Sequence, residues 1–212
     1  MTLRIAIAKG RILRDTARLF DAAGIDTGAL LADGRSLIRP LGPDLEALIV
    51  RSQDVPLVVS RGAAAIGITG YDTLREKGFD LFELLDLRIA TCRMSLAGPR
   101  DLNLSADPNR LWRVASKYPR VTREAFERAG RYYEIVPLSG TLETAPETGL
   151  ADCIVDLVDT GGTLRAHDLI EYEVLFEVSS RLVASRTGFF RFDGPIRDLV
   201  ERLQPVIERS AA

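Results

Sequence analysis

Residues 152–165 read DCIVDLVDTGGTLR, and no other stretch restricts the fold of this chain as much. Ile154 to Val158 is an apolar run of strand length, interrupted only by Asp156, and reads as a strand buried largely on both faces. Asp159-Thr160-Gly161-Gly162-Thr163 is a run of turn formers, and Leu164-Arg165-Ala166 can open a helix. A buried strand that ends in a glycine loop and feeds a helix aims free backbone N–H groups at a phosphate. Thr160 and Thr163 add hydroxyl donors, while Asp156 and Asp159 place carboxylates where ribose hydroxyls or a metal ion could meet them. A plain strand–turn–helix corner with a polar rim accounts for the same residues, so this stretch alone leaves both readings open.

The remainder of the chain repeats the pattern. Leu3–Ala8 is a first strand, stopped by Lys9-Gly10-Arg11 and followed by a helical stripe at Leu13, Ala17, Phe20 and Ala23. Residues 26–44 read as irregular, with one short strand near Ser36–Arg39. Glu46–Val50 is a strand ending in Arg51, and Asp54 is placed to cap a helix that opens Val55-Pro56. Ala65–Gly70 is a strand of small residues before a helix from Tyr71 to Lys77. Leu84–Ile89 and Arg93–Ala97 are strand candidates, and Pro99–Pro108 is a polar loop. Leu111–Ala115 is a strand whose Trp112 is expected to pack, followed by the Ser116–Pro119 turn. Thr122 is placed to cap the next helix, with Val121 and Phe126 as its staple. Tyr132–Leu138 is a strand that leads to the turn Ser139–Glu143. Residues 174–185 fit one or two strands, and Gly188 and Gly194-Pro195 precede a final helix with an apolar stripe from Ile196 to Ile207.

Strands alternating with helices give an α/β protein in two lobes, with residues 1–91 and 180–212 as domain I and 92–179 as domain II. Ligands of such folds sit beyond the carboxyl ends of strands, so a cleft lined from both lobes is the expected active site. The 212 residues can bury a full core, and a net charge of −2 argues against broad nucleic-acid binding. No stretch approaches membrane-spanning length, and MTLRIAIAKGR is too short an apolar run for a secretory signal, so a cytoplasmic protein is expected. Cys92 and Cys153 have no metal-like spacing and are expected to be buried and reduced.

Six ordered blocks resemble the ATP phosphoribosyltransferase family. They are Lys9-Gly10-Arg11, Arg51–Pro56, Gly67–Asp72, Ala115–Pro119, Leu138–Glu143, and Gly149–Arg165, of which the last is the most specific. The resemblance implies a two-lobed fold like the type II periplasmic binding proteins, with the active site in the cleft. It implies that N1 of ATP attacks C1 of 5-phosphoribosyl 1-pyrophosphate, releasing pyrophosphate with Mg²⁺ present. It is to the short form, so it also implies a separate regulatory subunit resembling histidyl-tRNA synthetase and a catalytic-chain dimer within a hetero-octamer.

Carried onto this sequence, the resemblance assigns Asp159, Thr160, Gly161, Gly162 and Thr163 to the 5′-phosphate of the donor. Asp156 and Glu143 fall to the ribose hydroxyls or Mg²⁺, which the substrate phosphates otherwise hold. Lys9, Arg11 and Arg51 face pyrophosphate or the ATP phosphates, while Asp72, Lys117 and Ser139 are further substrate-binding candidates. Gly162 departs from the Asn usual in the family, His167-Asp168 from a common Asn-Gly, and Ala65 from a frequent Asp. A solute-binding protein of the same fold would call for a secretory signal and no phosphate nest. A non-catalytic scaffold would not need the nest and the basic turns. A P-loop nucleotidase is excluded, since neither GxxxxGKS nor GxxxxGKT occurs.

Overall fold

The computed structural model describes residues 2–32, 36–104, 107 and 109–210. Part of the irregular stretch 26–44 and part of the Pro99–Pro108 loop therefore lie outside the described residues. The chain forms two compact units: unit 1 takes residues 1–90 and 179–212, and unit 2 takes residues 91–178. Unit 1 begins with β1 (Leu3–Ala8), α1 (Arg11–Ala22), β2 (Ile38–Pro40) and β3 (Leu45–Val50). A 3-10 turn, Ser52–Asp54, then runs into α2 (Val55–Ser60), β4 (Ile66–Gly70), α3 (Tyr71–Lys77) and β5 (Phe82–Asp86). Unit 2 contains β6 (Cys92–Pro99), β7 (Leu111–Ser116), α4 (Pro119–Arg128), β8 (Tyr132–Pro137), α5 (Thr144–Glu147), β9 (Cys153–Val158), α6 (Gly162–Ala166) and β10 (Leu169–Val178). The return to unit 1 adds β11 (Ser180–Ala184), α7 (Arg186–Arg191) and α8 (Asp193–Ser210).

The sheet of unit 1 runs β2-β3-β1-β4-β11-β5, with β3, β1 and β4 parallel and the other pairings antiparallel. Ile5, Ile7, Ile66 and Ile68 from its central strands join Phe20 of α1 and Leu199, Leu203 and Ile207 of α8 in the main core. Val55 and Val59 of α2 pack with Ala6 and Ala8 in a second cluster. Gly67 permits that approach, because a Cβ there would lie 2.7 Å from Val59 and 2.8 Å from Val55. Arg202 of α8 donates to the carbonyls of Ala23 and Gly24, satisfying acceptors left open at the end of α1.

The sheet of unit 2 runs β10-β6-β9-β7-β8, with β9, β7 and β8 parallel. Strands β6 and β10 add antiparallel to that core. Strand β9 is buried over most of its length, as expected of a strand with neighbours on both sides. Trp112 is 1% exposed and packs inside the unit, with Arg110 stacked 4.2 Å over its ring.

Several local expectations need correction. Asp54 makes no side-chain cap, because the preceding 3-10 turn already carries the chain into α2 in helical geometry. Thr122 is no cap either: Pro119 starts α4 three residues earlier, so Thr122 sits inside the helix, buried. Gly188 precedes the final helix as expected, inside the short α7, but Gly194-Pro195 form the first turn of α8 itself, where a proline needs no N–H partner. Cys92 is only half-buried, whereas Cys153 is enclosed and burial pushes its thiol up to about 12; both are free cysteines.

Asp152 locks the start of β9 to β7. Its carboxylate accepts the Arg113 N–H at 2.9 Å and the guanidinium groups of Arg113 and Arg110, each at 3.2 Å. Burial pushes this carboxyl up, but the hydrogen bonds and charge of Arg113, joined by the charge of Arg110, outweigh it and leave the pKa below the usual value. A depressed pKa contributes stability that is complete above the unfolded value, about 3.9, and is lost as pH falls through the folded one. The Tm advantage of the wild type over Asp152→Asn is therefore expected to be largest near neutrality. It should shrink below about pH 4 in thermal unfolding.

Candidate active site

The three parallel strands of unit 2 each end in a polar turn on the same edge of the sheet. Strand β7 ends at Ser116 before Lys117, β8 at Pro137 before Ser139–Glu143, and β9 at Val158 before Asp159–Thr163. Ser116 fixes the first of these turns, since its hydroxyl donates to the Val155 carbonyl at 2.8 Å and accepts the Tyr118 N–H at 2.9 Å. Lys117 Nζ then lies 2.9 Å from Asp156 Oδ1. The same oxygen accepts the Leu157 N–H at 2.8 Å.

A cavity of about 220 Å³ opens at this edge, lined by Glu143, Asp156, Asp159, Thr160, Gly161, Gly162 and Thr163. Its remaining lining comes from Ser95, Ala97, Ile154, Leu157, Val158 and Leu164. The loop adopts its shape because Gly161 holds a φ of +71°, a conformation that L side chains rarely adopt. A Cβ at Gly161 would also lie 3.2 Å from the Arg165 guanidinium. The following helix α6 spans only Gly162–Ala166, so an anion here would be met by individual N–H and hydroxyl groups rather than by a long helix dipole. Thr160 and Thr163 are exposed at the mouth of the cavity.

The other expected residues are placed as follows. Lys117 adjoins the cavity through Asp156, whereas Ser139 is exposed in the turn after β8 and does not line it. Lys9, Arg11, Arg51 and Asp72 belong to unit 1. Lys9 and Arg51 follow the adjacent ends of β1 and β3, and the Lys9 N–H donates to the Val50 carbonyl at 2.9 Å. Gly10, at φ +85°, turns the chain into α1, and Arg11 in its first turn lies 3.7 Å from Asp15. Asp72 is 7% exposed and accepts from the Thr73 hydroxyl at 3.4 Å. It folds back onto Gly70, where a Cβ would lie 2.1 Å from its carboxylate.

Three neighbours of the cavity escape a reading of the sequence. Ser95, on β6 opposite Asp156, has a buried hydroxyl without a hydrogen-bond partner among the described residues. Arg93 donates to the Asp159 carbonyl at 2.8 Å, and Arg165 to the Thr160 carbonyl at 3.0 Å. Arg165 lies within the conspicuous stretch, but nothing local marks Arg93 or Ser95, whose partners lie more than sixty residues away. Among the described residues, no cluster of three or more acidic, His or Cys side chains is arranged to hold a metal ion, and no helix is long and apolar enough to cross a membrane.

A family model described as HisG, ATP phosphoribosyltransferase, matches residues 51–205. The ATP phosphoribosyltransferase of Alkaliphilus metalliredigens is 41% identical over 202 residues, covering 95% of this chain and 96% of that protein. This chain belongs to the ATP phosphoribosyltransferase family. The enzyme of the same description from Methylococcus capsulatus is 42% identical over 212 residues, with 99% and 98% of the two chains covered. That alignment takes in the Lys9–Arg11 turn, which precedes the residues matched by the family model. A chain of the ATP phosphoribosyl transferase (HisG:HisZ) complex from Thermotoga maritima superposes with a TM-score of 0.83 at 32% identity, covering 98% of this chain and all of that one. The two-lobed α/β architecture of the type II periplasmic-binding-protein class is thereby established. The chain catalyses the ATP phosphoribosyltransferase reaction of histidine biosynthesis. At Gly162, where the resemblance leads one to expect Asn, the loop has room for a side chain. A Cβ at this position would meet only Thr160 Oγ1 at 3.6 Å and Arg165 at 4.0 Å, both ordinary contacts.

Proposed function

We propose that the unit 2 cavity binds the phosphoribosyl donor, 5-phosphoribosyl 1-pyrophosphate, and that ATP is the acceptor. The observation that carries this reading is the convergence of Glu143, Asp156 and the Asp159–Thr163 loop on one cavity. A nest of N–H groups flanked by two hydroxyls suits the 5′-phosphate, and two carboxylates beside it suit the ribose hydroxyls. Asp156 engages Lys117 and Leu157 through Oδ1, and among the described residues Oδ2 is left to accept from a ribose hydroxyl. Lys9, Arg11 and Arg51 supply cationic charge to pyrophosphate or to the ATP phosphates.

Adenine N1 is a weak base with a free lone pair at neutral pH, so the attack on C1 of the ribose requires no general base. The barrier lies in aligning two polyanions and in stabilising the departing pyrophosphate, which is work for positioning and fixed cations. Mg²⁺ fits this arrangement: it typically takes one or two carboxylates together with substrate phosphates, and Asp156 and Glu143 line one cavity. When bound, the ion offsets the charge of the leaving group.

The Thermotoga maritima relative belongs to a HisG:HisZ complex, and a comparable regulatory subunit, resembling histidyl-tRNA synthetase, is proposed for this chain. Purified chain supplied with ATP, phosphoribosyl pyrophosphate and Mg²⁺ is expected to release phosphoribosyl-ATP, with turnover changed by the regulatory subunit. Identical turnover with and without that subunit would refute the partnership. Lack of product in both conditions would refute the substrate assignment.

A further inference from the structure

Two peptide units of the Asp159–Thr163 loop are gripped by arginines. Arg93 on β6 is paired in register with Val158, the last residue of β9, so its side chain stands beside the first peptide of the loop. Its Nη1 donates to the Asp159 carbonyl at 2.8 Å. Its Nε contacts both carboxylate oxygens of Glu171, on β10, at 3.0 and 2.8 Å. Arg165 repeats the grip one residue on, donating from Nη1 to the Thr160 carbonyl at 3.0 Å. In a trans peptide the carbonyl and the following N–H point to opposite sides. Holding these two carbonyls therefore turns the N–H groups of Thr160 and Gly161 away from the arginines. Neither N–H has an acceptor among the described residues.

We propose that Arg93, oriented by Glu171, is a positioning residue for the phosphoribosyl donor: it sets the Asp159–Thr160 peptide so that the Thr160 N–H meets the donor phosphate. This rests on the assignment of the unit 2 cavity to the donor. The role calls for a guanidinium, because one donor must hold the carboxylate while another, at a fixed angle, holds the carbonyl; a lysine ammonium lacks that fork. The Arg93 and Glu171 side chains are part-buried, 31% and 23% exposed, so Tm is measured beside the kinetics to separate lost folding from lost donor binding.

Steady-state kinetics of the full chain with its regulatory subunit test this with three variants. Arg93→Met should raise the KM for phosphoribosyl pyrophosphate roughly tenfold, the loss expected for one charge-assisted contact, with the KM for ATP within about twofold. Arg93→Lys should recover only part of that loss. Glu171→Gln, which keeps Arg93 in place but loosens its orientation, should raise the same KM about threefold, so the test survives even if Arg93→Met folds poorly. An unchanged donor KM in both Arg93→Met and Glu171→Gln, or equal rises for both substrates, overturns the positioning role. A rise confined to ATP instead overturns the assignment of the cavity to the donor.

Discussion

Replacing Thr160 and Thr163 together by Val should raise the KM for phosphoribosyl pyrophosphate by roughly 10² to 10⁴, while the KM for ATP stays within about threefold. Each hydroxyl is expected to donate to a charged phosphate oxygen, a contact worth about 1.5–3 kcal/mol, and 1.4 kcal/mol is about tenfold in affinity. Val keeps the branched shape of Thr, and both positions are exposed beside the cavity, so the fold has little reason to respond. Initial-rate measurements with each substrate varied in turn make the check. Equal losses for the two substrates would mean that the loop does not discriminate the donor.

The largest expected loss of stability is at Trp112. This side chain is enclosed in unit 2, and Trp112→Ala should cost about 3–5 kcal/mol through lost transfer energy and the cavity left behind. Its strand neighbour Leu111 is 55% exposed and points to the other face, so Leu111→Ala should cost about 0.5 kcal/mol or less. Denaturant unfolding followed by circular dichroism compares the two, since Trp112 is the chain's single tryptophan and its loss removes the fluorescence signal. Similar midpoints for both variants would contradict the packing described for β7.

What could be read from the sequence was local. The run DCIVDLVDTGGTLR shows a strand, a glycine turn and two flanking threonines, and β9, Gly161 and the cavity lining follow that pattern. The helix after it is only five residues long, which leaves the separate N–H and hydroxyl donors read from the sequence as the anion-binding groups. Asp54 does stand at the N-cap of α2, but after the 3-10 turn its side chain makes no cap bond, and Thr122 falls inside α4 because Pro119 starts that helix. The supports of the loop were invisible for a different reason. Arg93 meets Glu171 across 78 residues and Asp159 across 66, so only the completed sheet brings them together. Strand β10 begins at Leu169, earlier than the apolar residues suggest, because its charged residues pair along β6 and contribute Glu171 to Arg93.

A crystal structure of the chain with phosphoribosyl pyrophosphate bound tests the central claim most directly. The 5′-phosphate is expected within hydrogen-bonding distance of the Thr160 to Thr163 N–H groups, with the ribose hydroxyls at Asp156 or Glu143. A 5′-phosphate bound at Lys9–Arg11 instead, with the Asp159–Thr163 loop empty or occupied by ATP phosphates, would contradict it.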